Sequence, residues 1–329
     1  MAMVRERRHQ QALRLPLPSP PVAMPELPYH FPDSPGTVDR LSDLEKLSVL
    51  GHGSSGTVYK VRHLRNSSLF ALKVLRFGPN AADARRQAAR EADILTRVDS
   101  PLVVRCHGVL EGGGDDHLCL VMEYMAGGSL HDVLRARRRL PEGLIAGVAR
   151  RVLEGLRYLH GMGVVHRDIK PSNLLIGSHG EVKIADFGAS RVVAAAAATG
   201  PESGGGDDAC AGTCAYMSPE RFDSEGFGDG GVFAGDVWAL GVVLLECFVG
   251  RFPLVEAGER PDWATLMCVV CFGGPPAVPD AASPEFRSFL GRCLEKDWRK
   301  RGTVGELLSH PFVAKCRSTE GLVDDTFHI

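Results

Sequence analysis

The sequence lacks any apolar run near the ~20 residues that a membrane-spanning helix needs, so no membrane segment is expected. It also lacks an excess of one charge: 38 Lys and Arg stand against 40 Asp and Glu, a net charge of -2. Nothing in that balance points to nucleic acid or an acidic membrane as a partner. The N-terminus has no apolar stretch of the kind a secretory leader requires. Metal-type cysteine spacing is missing too. Of nine cysteines only Cys268 and Cys271 have C-x-x-C spacing, inside the apolar run Leu266–Phe272, with no second pair of that spacing and no spaced histidines. Buried thiols of a reducing compartment are therefore expected rather than a zinc site, with the cytoplasm as location and the nucleus as the alternative. What remains is a chain of 329 residues, 44% hydrophobic, enough for one large core or two packed lobes.

Residues 1–15 are basic (Arg5, Arg7, Arg8, His9, Arg14), and eight prolines follow between positions 16 and 35. Proline at that density suits neither helix nor sheet ladder and predicts an extended, disordered linker. Strand composition then appears at Leu47–Leu50, Thr57–Val61, Leu69–Val74, Val103–Val109 and Leu118–Glu123. One helix interrupts these strands over 83–98, where Ala84, Ala88, Glu91, Ile94, Leu95 and Val98 share a face. Beyond Gly128 the pattern is helical: Leu144–Leu159, Val237–Phe248, Trp263–Val270 and Phe286–Leu294. A β-rich part followed by an α-rich part predicts an α+β, two-lobed molecule with a site between the lobes.

Two short motifs carry the chemistry. His166-Arg167-Asp168-Ile169-Lys170-Pro171-Ser172-Asn173 is followed thirteen residues later by Asp186-Phe187-Gly188. Asp168 is the candidate base for a substrate hydroxyl. Lys170 would neutralise charge on a group in transfer, and Asn173 and Asp186 are hard oxygen ligands suited to Mg²⁺. Upstream, Leu50-Gly51-His52-Gly53-Ser54-Ser55-Gly56-Thr57-Val58 is a glycine loop of the phosphate-cradling type. A dinucleotide fold would need a helix after Gly56. Thr57-Val58-Tyr59-Lys60-Val61 is strand-like instead, which favours a hairpin lid over ATP. Lys73 stands alone in the apolar strand Phe70-Ala71-Leu72-Lys73-Val74 and wants a partner. ATP phosphates and Glu91, eighteen residues on, are the two candidates.

Taken with Met217-Ser218-Pro219-Glu220 and Gly235-Asp236-Val237-Trp238, these motifs resemble the eukaryotic protein kinases over residues 44–313. Gly212-Thr213-Cys214-Ala215-Tyr216-Met217-Ser218-Pro219-Glu220-Arg221 and Glu123-Tyr124-Met125-Ala126-Gly127-Gly128-Ser129-Leu130 resemble one branch, the mitogen-activated protein kinase kinases (MAP kinase kinases). Arg260-Pro261-Asp262-Trp263 and the opening Met3-Val4-Arg5-Glu6-Arg7-Arg8 are similar to plant members. The resemblance implies a disordered tail at 1–43, a kinase domain at 44–313 (N-lobe 44–125, C-lobe 126–313) and a C-terminal tail at 314–329. It also implies ATP and Mg²⁺ as cofactors, and transfer to Thr and Tyr of a downstream MAP kinase under control of a MAP kinase kinase kinase. By the same match Gly51, Gly53 and Gly56 would cover the phosphates, and Leu50, Val58, Ala71 and Leu175 would sandwich the adenine. Met122 would stand behind the ring, with Glu123 and Met125 as the hinge. Asp236 would brace the catalytic loop, and Arg301 would anchor to Glu220. Arg7, Arg8, Leu13 and Leu15 fit a MAP kinase docking motif, basic pair then Leu-x-Leu.

One departure stands out. Plant members of the branch usually present two Ser/Thr phosphosites separated by five residues. Counting back from Thr213, those positions hold Ser203 and Ala209 here. Asp207 and Asp208, beside the gap, could substitute in part for phosphate opposite Arg167. A chain drifted toward low activity stays an equal alternative. The rivals to the MAP kinase kinase reading are a serine/threonine kinase with other substrates and a weakly active MAP kinase-binding scaffold.

Overall fold

The computed structural model describes residues 38–53, 56–78, 81–111, 117–193, 214–223, 231–255, 262–314 and 322. All of these fall within one compact unit, Phe31–Ile329. Five antiparallel strands form the N-lobe sheet: β1 (Leu44–Gly53), β2 (Gly56–His63), β3 (Leu69–Arg76), β4 (Cys106–Glu111) and β5 (His117–Glu123), in the order β1-β2-β3-β5-β4. Alternation along β3 sorts its side chains. Phe70, Leu72 and Val74 join a cluster with Val38, Val61, Cys119 and Val121. Lys73 faces the other way, toward α1 (Ala82–Arg97).

Helix α1 buries Ala88, Glu91, Ala92, Ile94 and Leu95, and Val98 just beyond its end is buried too. Ala84 is exposed, contrary to the sequence pattern. It lies in the first turn, before the buried stripe begins, and Ala92 completes the inner face instead. The expected strand at Val103–Val109 begins only at Cys106. Val103 makes a lone parallel bridge to Ile184, the Val104 N–H donates to the Ile184 carbonyl, and the Ile184 N–H donates to the Leu102 carbonyl. The expected tail also ends early: Val38 is buried in the N-lobe core, and Leu41–Asp43 form a 3₁₀ turn. Leu322, expected in the C-terminal tail, is buried.

The C-lobe is built on α2 (Leu130–Arg137), α3 (Glu142–Gly161), α4 (Pro219–Phe222), α5 (Ala234–Val249), α6 (Trp263–Met267), α7 (Pro284–Cys293), α8 (Val304–Leu308) and α9 (Pro311–Ala314). Short strand pairs β6 (Val164–Val165) with β9 (Arg191–Val192) and β7 (Leu174–Ile176) with β8 (Val182–Ile184) frame the loops that face the N-lobe. Helix α5 is apolar all round and buried from Gly235 to Leu245, so it forms the centre of the lobe. Among the described residues no helix is long and apolar enough to cross a membrane. Five of the seven described cysteines are buried, and Cys268 is exposed, against the expectation of buried thiols. The expected helix Trp263–Val270 stops at Met267 and widens into a π-helical turn, Cys268–Phe272.

Arg301 locks this lobe. Its guanidinium makes a bidentate pair with Glu220 (2.7 and 2.9 Å), donates to the carbonyls of Ala234, Glu295 and Lys296, and lies over the Trp238 ring. The two side chains are 0% and 4% exposed. Breaking a buried pair costs about 3–5 kcal/mol, because one charge stays uncompensated. A lysine cannot reproduce the planar fork. Arg301→Lys is therefore expected to lower the melting temperature by several degrees; a melt within one degree of wild type would contradict this.

Candidate active site

Lys73 is the centre of the cleft. Its Nζ donates to Glu91 Oε1 and to Asp186 Oδ1, both at 2.7 Å. Burial works against the charge on Lys73, but Glu91 and Asp186 together outweigh it and hold its pKa above the ordinary lysine value. Burial likewise pushes Glu91 up, and Lys73 offsets this only in part. Asp186 would also be raised by burial. The Lys73 ammonium and the Gly188 N–H take it below the usual aspartate value instead. Lys73 thus keeps its proton, and Asp186 stays an anion.

Asp186 adopts a left-handed backbone, φ 67°, and so does Arg167, φ 68°. Neither residue is glycine, so the surroundings must hold both conformations. Asp236, at the start of α5, does much of that work. It is buried and accepts the backbone N–H of His166 (2.9 Å) and of Arg167 (2.8 Å), with His160 Nε2 at 2.9 Å. Burial alone would raise its pKa; the bonds from His160 and His166 carry it below the ordinary value. His166 joins the two catalytic segments. Its Nε2 lies 3.1 Å from the Ala185 carbonyl, an acceptor only, so Nε2 carries the proton; Nδ1 then accepts the Asp168 N–H at 3.3 Å.

Asp168 is gathered with its neighbours. Asn173 Nδ2 donates to both its carbonyl and its Oδ2 (2.9 Å each), and Lys170 Nζ sits 2.8 Å from the same Oδ2. With its nitrogen serving Asp168, Asn173 keeps its oxygen as an acceptor, the atom suited to a cation, with the Ser172 hydroxyl 3.5 Å away. No cluster of three or more metal-binding side chains exists among the described residues. Two hard oxygen donors, Asn173 and Asp186, fit an ion completed by water and substrate phosphates better than a protein cage would.

Around the nucleotide position, Met122 and Leu175 pack against Val104, Met125 and Ala185. Ala71 pairs with Met122 across the sheet, Val58 pairs with Lys73, and Leu50 is exposed on β1. The hinge carries a feature that the sequence reading missed. Glu123 Oε1 accepts Lys183 Nζ at 2.6 Å, and its N–H donates to the Arg105 carbonyl, which ties the hinge to β8. A lysine on the strand leading into Asp186 was the available cue.

In the glycine loop Gly53 pairs with Gly56 across the β1–β2 hairpin. Gly56 has φ 152°, and a Cβ there would run into the Val74 carbonyl; nothing lies within 4 Å of a Cβ at Gly51. Gly56→Ala should therefore weaken ATP use at least tenfold in KM, while Gly51→Ala costs less than about threefold. Equal effects in a steady-state titration of ATP would refute the distinction. Arg7, Arg8, Leu13, Leu15, Ser54, Ser55, Thr199, Ser203, Asp207, Asp208, Ala209 and Thr213 lie outside the described residues.

A five-stranded antiparallel lobe with a lysine–glutamate pair, set above a helical lobe that carries a base and two metal-type oxygens, is the architecture of an ATP-dependent protein phosphotransferase. The family model for the protein kinase domain matches residues 44–313. Mitogen-activated protein kinase kinase 10 of Arabidopsis thaliana is 53% identical over 95% of this chain and 99% of its own length. Mitogen-activated protein kinase kinases 7 and 9 of the same plant are 49% and 48% identical, with the same coverage. The chain belongs to the protein kinase family, in its plant MAP kinase kinase branch.

Proposed function

We propose that this chain is a catalytically competent, dual-specificity MAP kinase kinase that phosphorylates Thr and Tyr in the activation segment of a MAP kinase. The observation that carries catalytic competence is Lys73, held at 2.7 Å from both Glu91 and Asp186 beside the Asp168–Lys170–Asn173 cluster. The substrate reading rests on the likeness to the three Arabidopsis proteins.

ATP with Mg²⁺ supplies the phosphoryl group and part of its charge neutralisation. Lys73 fixes the phosphates, with Glu91 and Asp186 fixing Lys73. Gly51, Gly53 and Gly56 close over them, and Leu50, Val58, Ala71, Met122, Glu123, Met125 and Leu175 place the base. Asn173 and Asp186 would hold the ion. Asp168 accepts the substrate hydroxyl's proton and keeps that oxygen in line, and Lys170 offsets charge on the group in transfer.

The test is an in vitro assay on a panel of catalytically dead MAP kinases, read by phosphopeptide mass spectrometry. Phosphate on both Thr and Tyr is expected. Phosphate on Ser or Thr alone would give way to a serine/threonine kinase with other substrates. Two further proposals, one on the N-terminal tail and one on the segment before Thr213, have their own tests. Leu13→Ala with Leu15→Ala should lose the MAP kinase in a pull-down if Arg7, Arg8, Leu13 and Leu15 dock it; unchanged capture removes that role. Protein made in bacteria should be active as purified if Asp207 or Asp208 stands in for phosphate. Activity only after a MAP kinase kinase kinase is added removes that idea.

A further inference from the structure

The C-lobe holds a cavity of about 190 Å³, and no residue of the catalytic scheme lines it. It lies between α5, the stretch just after α5, and the π-helical turn with the chain that leaves it. Trp238, Leu254 and Val270 line it and are buried, so they form its floor. Gly274, Pro275 and Ala277 line it and are exposed, so they form its rim. The local sequence explains the opening. Gly273 closes the π-turn with its N–H on the Cys268 carbonyl, and Pro275 and Pro276 then withhold two backbone donors. Residues 274–279 form neither helix nor strand, and they edge the floor rather than fill it.

Only two side chains of the lining are polar, Trp238 and Lys296, and both are donors. The Trp238 Nε1–H has no acceptor among the described residues. A buried donor left without an acceptor is destabilising, so this one favours a guest that accepts. Lys296 donates from Nζ to the Gly273 carbonyl at 2.6 Å, and no carboxylate pairs with it among the described residues. Burial works against its charge and lowers its pKa. A cation so placed gains from an anion brought beside it. The other side chains of the lining are aliphatic and suit an apolar body on that anion. Volume sets the size. An apolar cavity of about 150 Å³ holds benzene, and a drug-sized ligand needs about 300 Å³ or more. The space here, about 190 Å³, admits a single substituted ring.

We propose that this cavity is a binding site for a small aromatic carboxylate, with its ring against Leu254 and Val270 and its carboxylate accepting from the Trp238 N–H and the Lys296 ammonium. The site is separate from the nucleotide cleft, and nothing in it depends on which protein the kinase phosphorylates.

The test is a benzoate titration of the full chain, read on the indole N–H signals of a proton–nitrogen correlation spectrum. The chain has three tryptophans, so Trp263→Phe and Trp298→Phe assign the Trp238 signal by elimination. Benzoate is expected to move that signal saturably, with a Kd of about 1 mM or tighter. At ten times Kd it should raise the melting temperature by about 2 °C. Benzyl alcohol keeps the ring and loses the charge, and should bind about tenfold more weakly; Lys296→Gln should weaken benzoate to a similar degree. Nothing lies within 4 Å of a Cβ at Gly274, so Gly274→Phe meets no clash there, and its ring should occupy the cavity and abolish the shift. A Trp238 signal that stays put throughout the titration leaves only water in the cavity and overturns the site. An equal shift in Gly274→Phe overturns it too, because benzoate then binds elsewhere. Equal affinity for benzoate and benzyl alcohol, or for wild type and Lys296→Gln, removes the carboxylate and the proposal with it.

Discussion

Asp168→Asn is expected to reduce phosphoryl transfer by about 10²–10⁴-fold, the usual contribution of a positioned base. The substitution is nearly isosteric. Asn173 can still donate to the side-chain oxygen and to the Asp168 carbonyl, so the loop should keep its shape. Lys170 loses an anionic partner at 2.8 Å, but it is partly exposed and can turn to water. The KM for ATP and the melting temperature should therefore stay near wild type while kcat collapses. That split separates lost chemistry from lost folding. It also separates enzyme from scaffold. The variant should still bind MAP kinase, and should fail to support a MAP kinase response in cells. A variant that signals like wild type would show that catalysis is not what the chain contributes.

Lys73→Met should remove both activity and stability. It leaves the Glu91 carboxylate, 2% exposed, without its cation. Losing one member of a buried pair costs about 3–5 kcal/mol. Part of that can be evaded by protonation. Burial already raises Glu91, and without Lys73 nothing offsets that push. A carboxyl whose folded pKa exceeds its unfolded one gains stability as pH falls, because the folded state binds the extra proton. The melting loss of Lys73→Met should thus be largest at pH 8 and should shrink toward pH 5. Adding Glu91→Leu should recover most of the stability at pH 8 and none of the activity. A loss independent of pH, or a double variant no more stable than the single one, would mean the pair does not matter in this way.

Much of this was legible in the chain because short-range chemistry fixed it. Asp168, Lys170 and Asn173 sit within six residues and must share one loop. The Lys73–Glu91 pair could be anticipated because alternation in a strand and spacing in a helix each point one polar residue inward. What could not be read depended on packing. The lone bridge at Val103 arises because β8, not a neighbouring strand, meets the chain there. Helix α2 is only eight residues long, so its stripe of Leu130, Val133 and Leu134 is short; the capping box of Ser129 and Asp132 marks its start. The π-turn at Cys268–Phe272 looks like ordinary helix in sequence, and only tertiary contact with α4 reveals the extra residue.

The backbone bonds from Leu102 and Val104 to Ile184 have a mechanical consequence. They hook the stretch just after α1 onto β8, two residues before Asp186. The helix bearing Glu91 and the loop bearing the metal-side carboxylate are thereby geared together. A wedge that levers α1 away from the sheet should drag Asp186 out of place in the same stroke, so the machine stalls at both teeth or at neither.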